Sequence, residues 1–171
     1  MLHDLRIYSM GKRSWKTVVF WFYGPTGTGK SFAAMEYAKD AYWKMGGNKW
    51  WDGYDGQSDV IIDDYRKDLC TFNELLRLLD RYPLLVERKG GSMQFLAKRI
   101  FITSPFSPSG VWEGRIEEDL AQLMRRIEHV ERFAPGGGRT RDRTTIEART
   151  ALGEIEPPIE PSSQEEEIIN A

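Results

Sequence analysis

A chain of 171 residues, 40% hydrophobic and 29% charged, has room for one α/β domain with a real core. No apolar run approaches the roughly 20 residues needed to span a bilayer, and Met1 to Met10 lacks the apolar segment of a secretory signal. The single cysteine, Cys70, excludes an internal disulfide and suggests a reducing compartment. The formal charge of −2 is unevenly spread: residues 151–171 hold six of the 26 acidic residues and no Lys or Arg. The remainder is therefore mildly basic, which permits a polyanionic partner; a solvated acidic tail explains the asymmetry equally well.

In chain order, residues 1–16 are short and mixed, with Gly11-Lys12-Arg13-Ser14 expected as a loop. Thr17 to Phe22 is a run of β-branched and aromatic residues, suited to a central parallel strand covered on both faces. It leads into Gly24-Pro25-Thr26-Gly27-Thr28-Gly29-Lys30-Ser31, the spacing G-x-x-x-x-G-K-S between a strand and a helix. Glycines let backbone N–H groups approach a phosphate with no Cβ in the way, and the following helix adds its free amides and the positive end of its dipole. The expectation is a P-loop that holds ATP: Lys30 reaches the β and γ phosphates, and the Ser31 hydroxyl ligates Mg²⁺.

The helix after this loop is expected to run from Lys30 to Trp43, with Phe32, Met35, Ala38 and Tyr42 near helical spacing, and to stop at Gly46-Gly47-Asn48. Lys49-Trp50-Trp51 reads as a short strand with its exit at Asp52-Gly53-Tyr54. Its aromatics fill core on one reading and face a base on the other. Asp59-Val60-Ile61-Ile62-Asp63-Asp64-Tyr65 is a buried strand ending in two carboxylates, tolerated because that end of a parallel sheet opens into a crevice. Downstream of a P-loop, Asp63 is expected to bind Mg²⁺ and Asp64 to polarise the attacking water.

Thr71-Phe72-Asn73-Glu74 is a capping box that starts a leucine-rich helix ending at Tyr82-Pro83. Leu84 to Glu87 and Met93 to Leu96 then flank Arg88-Lys89-Gly90-Gly91-Ser92, a β-hairpin with a basic tip. Arg88 and Lys89 there are either a grip on a nucleic-acid backbone or a solvated basic turn. Arg99 to Ser104 is another buried strand, aiming Thr103 or Ser104 at the same crevice, closed by Pro105 and Pro108. Glu117-Glu118-Asp119 and Arg125-Arg126 put negative charge at the start and positive charge at the end of a helix, as its dipole favours. Ile127 to Phe133 is the last expected strand. Residues 135–147 read as a Gly/Arg-rich linker and residues 148–171 as an acidic disordered tail.

GPTGTGKS, VIIDDY, a Lys-Gly-Gly hairpin, the polar-ended strand FITS and an Arg-Arg helix end lie in an order that resembles the superfamily 3 helicases. The stretches NKWWDGY, LLRLLDRYPL, VERKGG and QLMRRI are most similar to the replication-associated proteins of circular single-stranded DNA viruses, the circovirus-like ones in particular. That resemblance covers residues 17 to 133. It implies an α/β P-loop NTPase fold, an AAA+-like central parallel sheet flanked by helices with a β-hairpin insertion, spanning residues 17–134 as the helicase domain.

The resemblance further implies a homo-oligomeric ring, a hexamer as the expected form, with ATP between subunits. Lys89 matches the lysine of the pore hairpin that contacts single-stranded DNA. Arg125 or Arg126 matches the arginine that reaches the ATP of the next subunit. The family's asparagine at the end of the FITS strand is replaced by Pro105, which has no side-chain donor, leaving Thr103 or Ser104 to face the nucleotide. The family's rolling-circle endonuclease has no counterpart in residues 1–16, so a helicase-domain piece of such a protein is expected. Host-nuclear localisation, and no membrane association, follow from the resemblance. Two rivals stand beside the DNA translocase: a small-molecule P-loop kinase, and an ATP-binding assembly module that does not turn over.

Overall fold

The computed structural model describes residues 11–45 and 48–159. Gly46 and Gly47, expected to stop the first helix, lie outside the described residues, as do residues 1–10 and the tail from 160 onward. Six strands form one sheet in the order β2-β3-β6-β1-β7-β8. They are β1 (Val18–Tyr23), β2 (Tyr42–Met45), β3 (Asp59–Asp63), β6 (Arg99–Ser104), β7 (His129–Phe133) and β8 (Arg139–Thr144). All neighbours run parallel except β8, which is antiparallel to β7. The hairpin β4 (Leu85–Arg88) and β5 (Gly91–Gln94) forms its own small sheet.

The apolar run of β1 is explained by its place. Alternate side chains of a strand point to opposite faces. Val19 and Trp21 enter one core with Val60, Ile62, Ile100, Ile102 and Val130, while Phe20 and Phe22 enter a second core with Ile61, Phe101 and Phe133. Phe20 and Phe101 stack at 4.5 Å between centroids. Among the described residues five helices close the two faces: α1 (Lys30–Tyr37), α2 (Phe72–Leu78), α3 (Pro108–Val111), α4 (Glu117–Arg125) and α5 (Ile146–Ala151). Ala33 and Ala34 of α1 and Ala148 of α5 cover the second core. Leucines of α2, Leu123 of α4 and Val86 and Met93 of the hairpin cover the first. The central, mostly parallel sheet flanked by helices is the α/β fold expected. Among the described residues no helix is long and apolar enough to cross a membrane.

The capping box forms as read: Thr71 Oγ1 accepts from Glu74 N, and Glu74 Oε2 accepts from Thr71 N. Such a cap is worth about 1 kcal/mol. The other end of α2 is closed from a distance. Arg13, 1% exposed, donates to the carbonyls of Arg77, Leu78 and Tyr82 and to Thr17 Oγ1. The expected loop thus contains the group that satisfies the last carbonyls of a helix more than 60 residues away. Burial pulls the Arg13 pKa down to about 10 against the opposing pull of Asp80.

Two expectations are corrected. The first helix ends at Tyr37, and Tyr42–Met45 is a strand pairing with β3 from Tyr42↔Val60 to Met45↔Asp63. Tyr42 and Trp43 fit helical spacing, yet aromatic residues also favour strands, and the open edge of β3 captures them. Trp50 and Trp51 consequently lie outside any strand; Trp51 and Tyr54 are buried beside Tyr42 and Phe95, as the core-filling reading has it. Second, residues 135–151 are not linker and disordered tail. They form a 3₁₀ turn at Pro135–Gly137, strand β8 and helix α5, and Thr145 caps that helix by accepting from Ala148 N.

Candidate nucleotide site

The loop after β1 is shaped by two glycines. Gly24 has φ 144°, and a Cβ there would lie 2.1 Å from the carbonyl oxygen of Phe133 on β7. Gly29, at φ 87°, turns the chain left-handed immediately before α1. Thr28 Oγ1 braces the loop by donating to Pro25 O at 2.8 Å. Gly24 through Gly29 therefore form one continuous turn after β1, running into α1 at Lys30, with the free amides of α1 at its mouth. Lys30 Nζ donates to Gly24 O at 2.6 Å and Pro25 O at 2.8 Å, so its ammonium lies across that mouth. Burial lowers the Lys30 pKa from its ordinary value, while Asp64 and Asp63 pull it back up.

The acids of β3 meet the loop. Ser31 Oγ donates to Asp63 Oδ1 at 2.6 Å. Thr103 Oγ1, on the neighbouring strand β6, donates to the same oxygen at 2.9 Å and accepts from Asp64 N at 2.9 Å. Asp64 has φ 53°, the one positive φ of a non-glycine among the described residues, and its carboxylate pairs with Arg66 at 3.4 Å. Aspartate is among the non-glycine residues that adopt this left-handed conformation most readily. Asp64 follows directly on the last residue of β3, Asp63.

Ser31 and Asp63 offer hard oxygen donors within one hydrogen bond of each other. Among the described residues no three His, Cys, Asp or Glu side chains cluster as metal ligands. A two-donor site suits an ion that keeps several waters and takes phosphate oxygens, as Mg²⁺ does.

The remaining expected residues divide. Ser104 is fully buried, donates to Tyr65 O and accepts from Phe106 N, so Thr103 alone of the pair joins the acids. Lys89 is exposed at the two-residue hairpin turn, and its backbone N donates to Asp52 Oδ1. Arg88 lies on β4 rather than at the tip and donates to Tyr54 O. Arg126 is held in place by Asp80 at 3.2 Å and by Gln122 O, whereas Arg125 is exposed in the last turn of α4. Sequence reasoning missed Asp80 as the partner of Arg126, because nothing local links residues 46 apart.

A glycine-shaped loop between a buried strand and a helix, with a lysine across its mouth and a serine bonded to the acid of a neighbouring strand, defines a P-loop nucleotide-binding domain. A family model described as RNA helicase matches residues 20–106, and the chain belongs to that family. It is similar to the replication-associated protein of Porcine circovirus 1, 44% identical over 130 residues that make up 75% of this chain and 41% of the relative. It is also similar to that of Porcine circovirus 2, 48% identical over 120 residues, 69% of this chain and 38% of the relative. The Goose circovirus protein is 45% identical over 126 residues, 73% and 42%. The chain thus spans about two fifths of the length of these relatives. The resemblance drawn from motif order is borne out, and a helicase family implies use of a nucleotide with a divalent metal.

Proposed function

We propose that this chain is an ATP- and Mg²⁺-dependent motor that translocates along single-stranded DNA during replication of a circular genome. The observation that carries the reading is the hydrogen bond between Ser31 and Asp63, which joins the phosphate loop to the acidic strand at one point. Lys30 and the amides of α1 hold the β and γ phosphates. Ser31 and Asp63 are the residues that would hold a magnesium ion, which would supply charge neutralisation at the phosphates. Asp64 polarises the attacking water. Thr103 keeps the two acids in register.

The replication-associated name of the relatives and the helicase family description support the DNA-motor reading. Lys89 is the DNA-contacting residue and Arg88 its anchor. Assembly is a ring of like subunits, a hexamer on the family resemblance, in which an arginine of one subunit reaches the nucleotide of the next. Arg125 is the better candidate, since Arg126 is committed to Asp80 within its own subunit. The site of action that goes with the viral relatives is the host nucleus.

Steady-state ATPase assays with and without single-stranded DNA, across a protein dilution series, test this. Turnover that rises with DNA and with protein concentration, and is abolished by Lys30→Ala, is the expected result. Turnover per protomer independent of both would overturn the motor and ring. Transfer of phosphate to a nucleoside or sugar would make the domain a kinase instead.

A further inference from the structure

Lys44 carries a charge that the proposed mechanism does not use. It stands on β2 at 2% exposure. Its ammonium donates to Asn48 O at 2.6 Å, to Asn48 Oδ1 at 3.3 Å and more weakly to Met45 O at 3.4 Å. All three are neutral oxygens, and among the described residues no carboxylate forms an ion pair with it. Burial lowers its pKa from the ordinary value, against a weaker opposing pull from Asp52. A buried cation without a counter-charge is costly to keep.

Beside it lies a cavity of about 390 Å³ whose wall includes Lys44, Trp51, Leu69, Leu78, Leu84 and Val86. The Lys44 ammonium is 5.8 Å from the centre of the Trp51 ring, so charge and apolar wall meet there. Four other charged side chains reach the lining: Lys49, Glu74, Arg77 and Glu87. Glu74 is engaged in the capping box, and Glu87 pairs with Lys49 at 3.5 Å. Lys44 and Arg77 are left to set the local field, which is positive. No lining residue belongs to the phosphate loop or to the acids of β3.

The volume is within the range of small-molecule pockets, which combine mostly apolar walls with a few polar groups. An apolar cavity with a buried cation on its wall matches a molecule of the same two parts, one acid group and a compact apolar body. We infer that this cavity binds a small organic acid, its carboxylate neutralising Lys44 and its body resting among Leu69, Leu78, Leu84 and Val86. Leu78 belongs to α2 and Val86 to β4, so the bound acid ties the root of the hairpin to that helix. The site is separate from the nucleotide reading and stands or falls without it.

The chain's single cysteine gives a local readout, because Cys70 lines the same cavity. Burial pushes its thiol up to about 11, so it labels slowly with N-ethylmaleimide and protection is easily followed. In the whole chain, octanoate should protect Cys70 at about tenfold lower concentration than octan-1-ol, which has the same body and no charge. In Lys44→Met that preference should vanish, the two probes protecting alike. Backbone amide exchange over Leu85–Arg88 should slow when octanoate is bound to the wild type. Labelling that octanoate does not slow would overturn the site. Equal protection by octan-1-ol in the wild type would overturn the acid preference, whether or not Lys44→Met folds. A preference for octanoate that survives in Lys44→Met would remove Lys44 as its cause. Unchanged amide exchange with Cys70 protected would overturn the tie between hairpin and helix.

Discussion

Thr103 Oγ1 lies 2.9 Å from Asp63 Oδ1 and spends its other hydrogen-bonding capacity on the backbone N of Asp64. One hydroxyl, 2% exposed as a residue, therefore fixes both acids from the neighbouring strand. Thr103→Val keeps the shape and deletes the link. Asp64 N then loses its partner, a cost of about 1–3 kcal/mol. On the proposed mechanism, in which the acids act on the metal and water rather than on ground-state binding, kcat for ATP hydrolysis should fall about 10- to 100-fold with KM little changed. A change confined to KM would show that Thr103 does not position them.

Arg125 and Arg126 are adjacent in sequence and opposite in circumstance. Arg126 ties α4 to Asp80, and its loss should lower stability by about 1–2 kcal/mol by leaving a half-buried carboxylate unpaired. Arg125→Ala should leave the urea midpoint unchanged and cut ATPase activity by 10³-fold or more if it acts on the neighbouring nucleotide. Mixing Arg125→Ala with Lys30→Ala protein should then restore part of the activity, since each variant supplies what the other lacks. No recovery on mixing would place the arginine's action within its own subunit.

Glu131 is buried on β7, facing His129, Arg139 and Arg141. Burial alone would raise its pKa, but hydrogen bonds from His129 and Arg139 outweigh it and hold the group at about 2. A depressed carboxylate contributes stability that is complete above its unfolded value near 4.5 and lost as pH falls toward 2. We expect the urea midpoint of the wild type to drop across that window by the equivalent of about 2–3 kcal/mol beyond the drop in Glu131→Gln. Parallel pH profiles for the two proteins would remove this group from the acid sensitivity.

Arg13, a buried charged side chain, should be among the most costly truncations. Arg13→Met keeps much of the stem but strands the carbonyls of Arg77, Leu78 and Tyr82. About 2–4 kcal/mol of stability should disappear, read as a lower denaturant midpoint with an unchanged slope. Faster amide exchange in the last turn of α2 would localise the effect.

The phosphate loop, the acidic strand and the capping box were legible because each is local: the chemistry demands particular residue types at fixed spacing. Helix α1 was drawn too long because Tyr42 satisfies a helical period and a strand propensity at once. Only the neighbouring β3 edge decides between them. Strand β8 was missed for a related reason. Arg139-Thr140-Arg141-Asp142-Arg143-Thr144 has no apolar face to betray a strand, since Arg139 and Arg141 are drawn to Glu131 rather than to a hydrophobic core. Arg13 could not be read at all, as three of its partners are carbonyls, which every residue possesses. At the site, the sequence left Thr103 and Ser104 equivalent. The register of β6 against β1 and β3 separated them.

The hairpin that carries Lys89 is anchored at several points along its length. Its turn is pinned by Asp52, Trp51 N donates to Glu87 O, and Phe95 N donates to Leu84 O. Trp51, Tyr54 and Phe95 are packed ring against ring beneath it. Any displacement of the Lys89 tip must therefore carry the aromatic loop with it. That loop feeds directly into β3, at whose far end Asp63 and Asp64 stand. On the proposed motor reading, such an arrangement would work as a lever with a stiff arm, the travel of the tip set by rotation of one block rather than by bending of a finger. If the proposed DNA motor is right, loosening the arm, as Trp51→Ala would, should shorten the stride before it slows the engine.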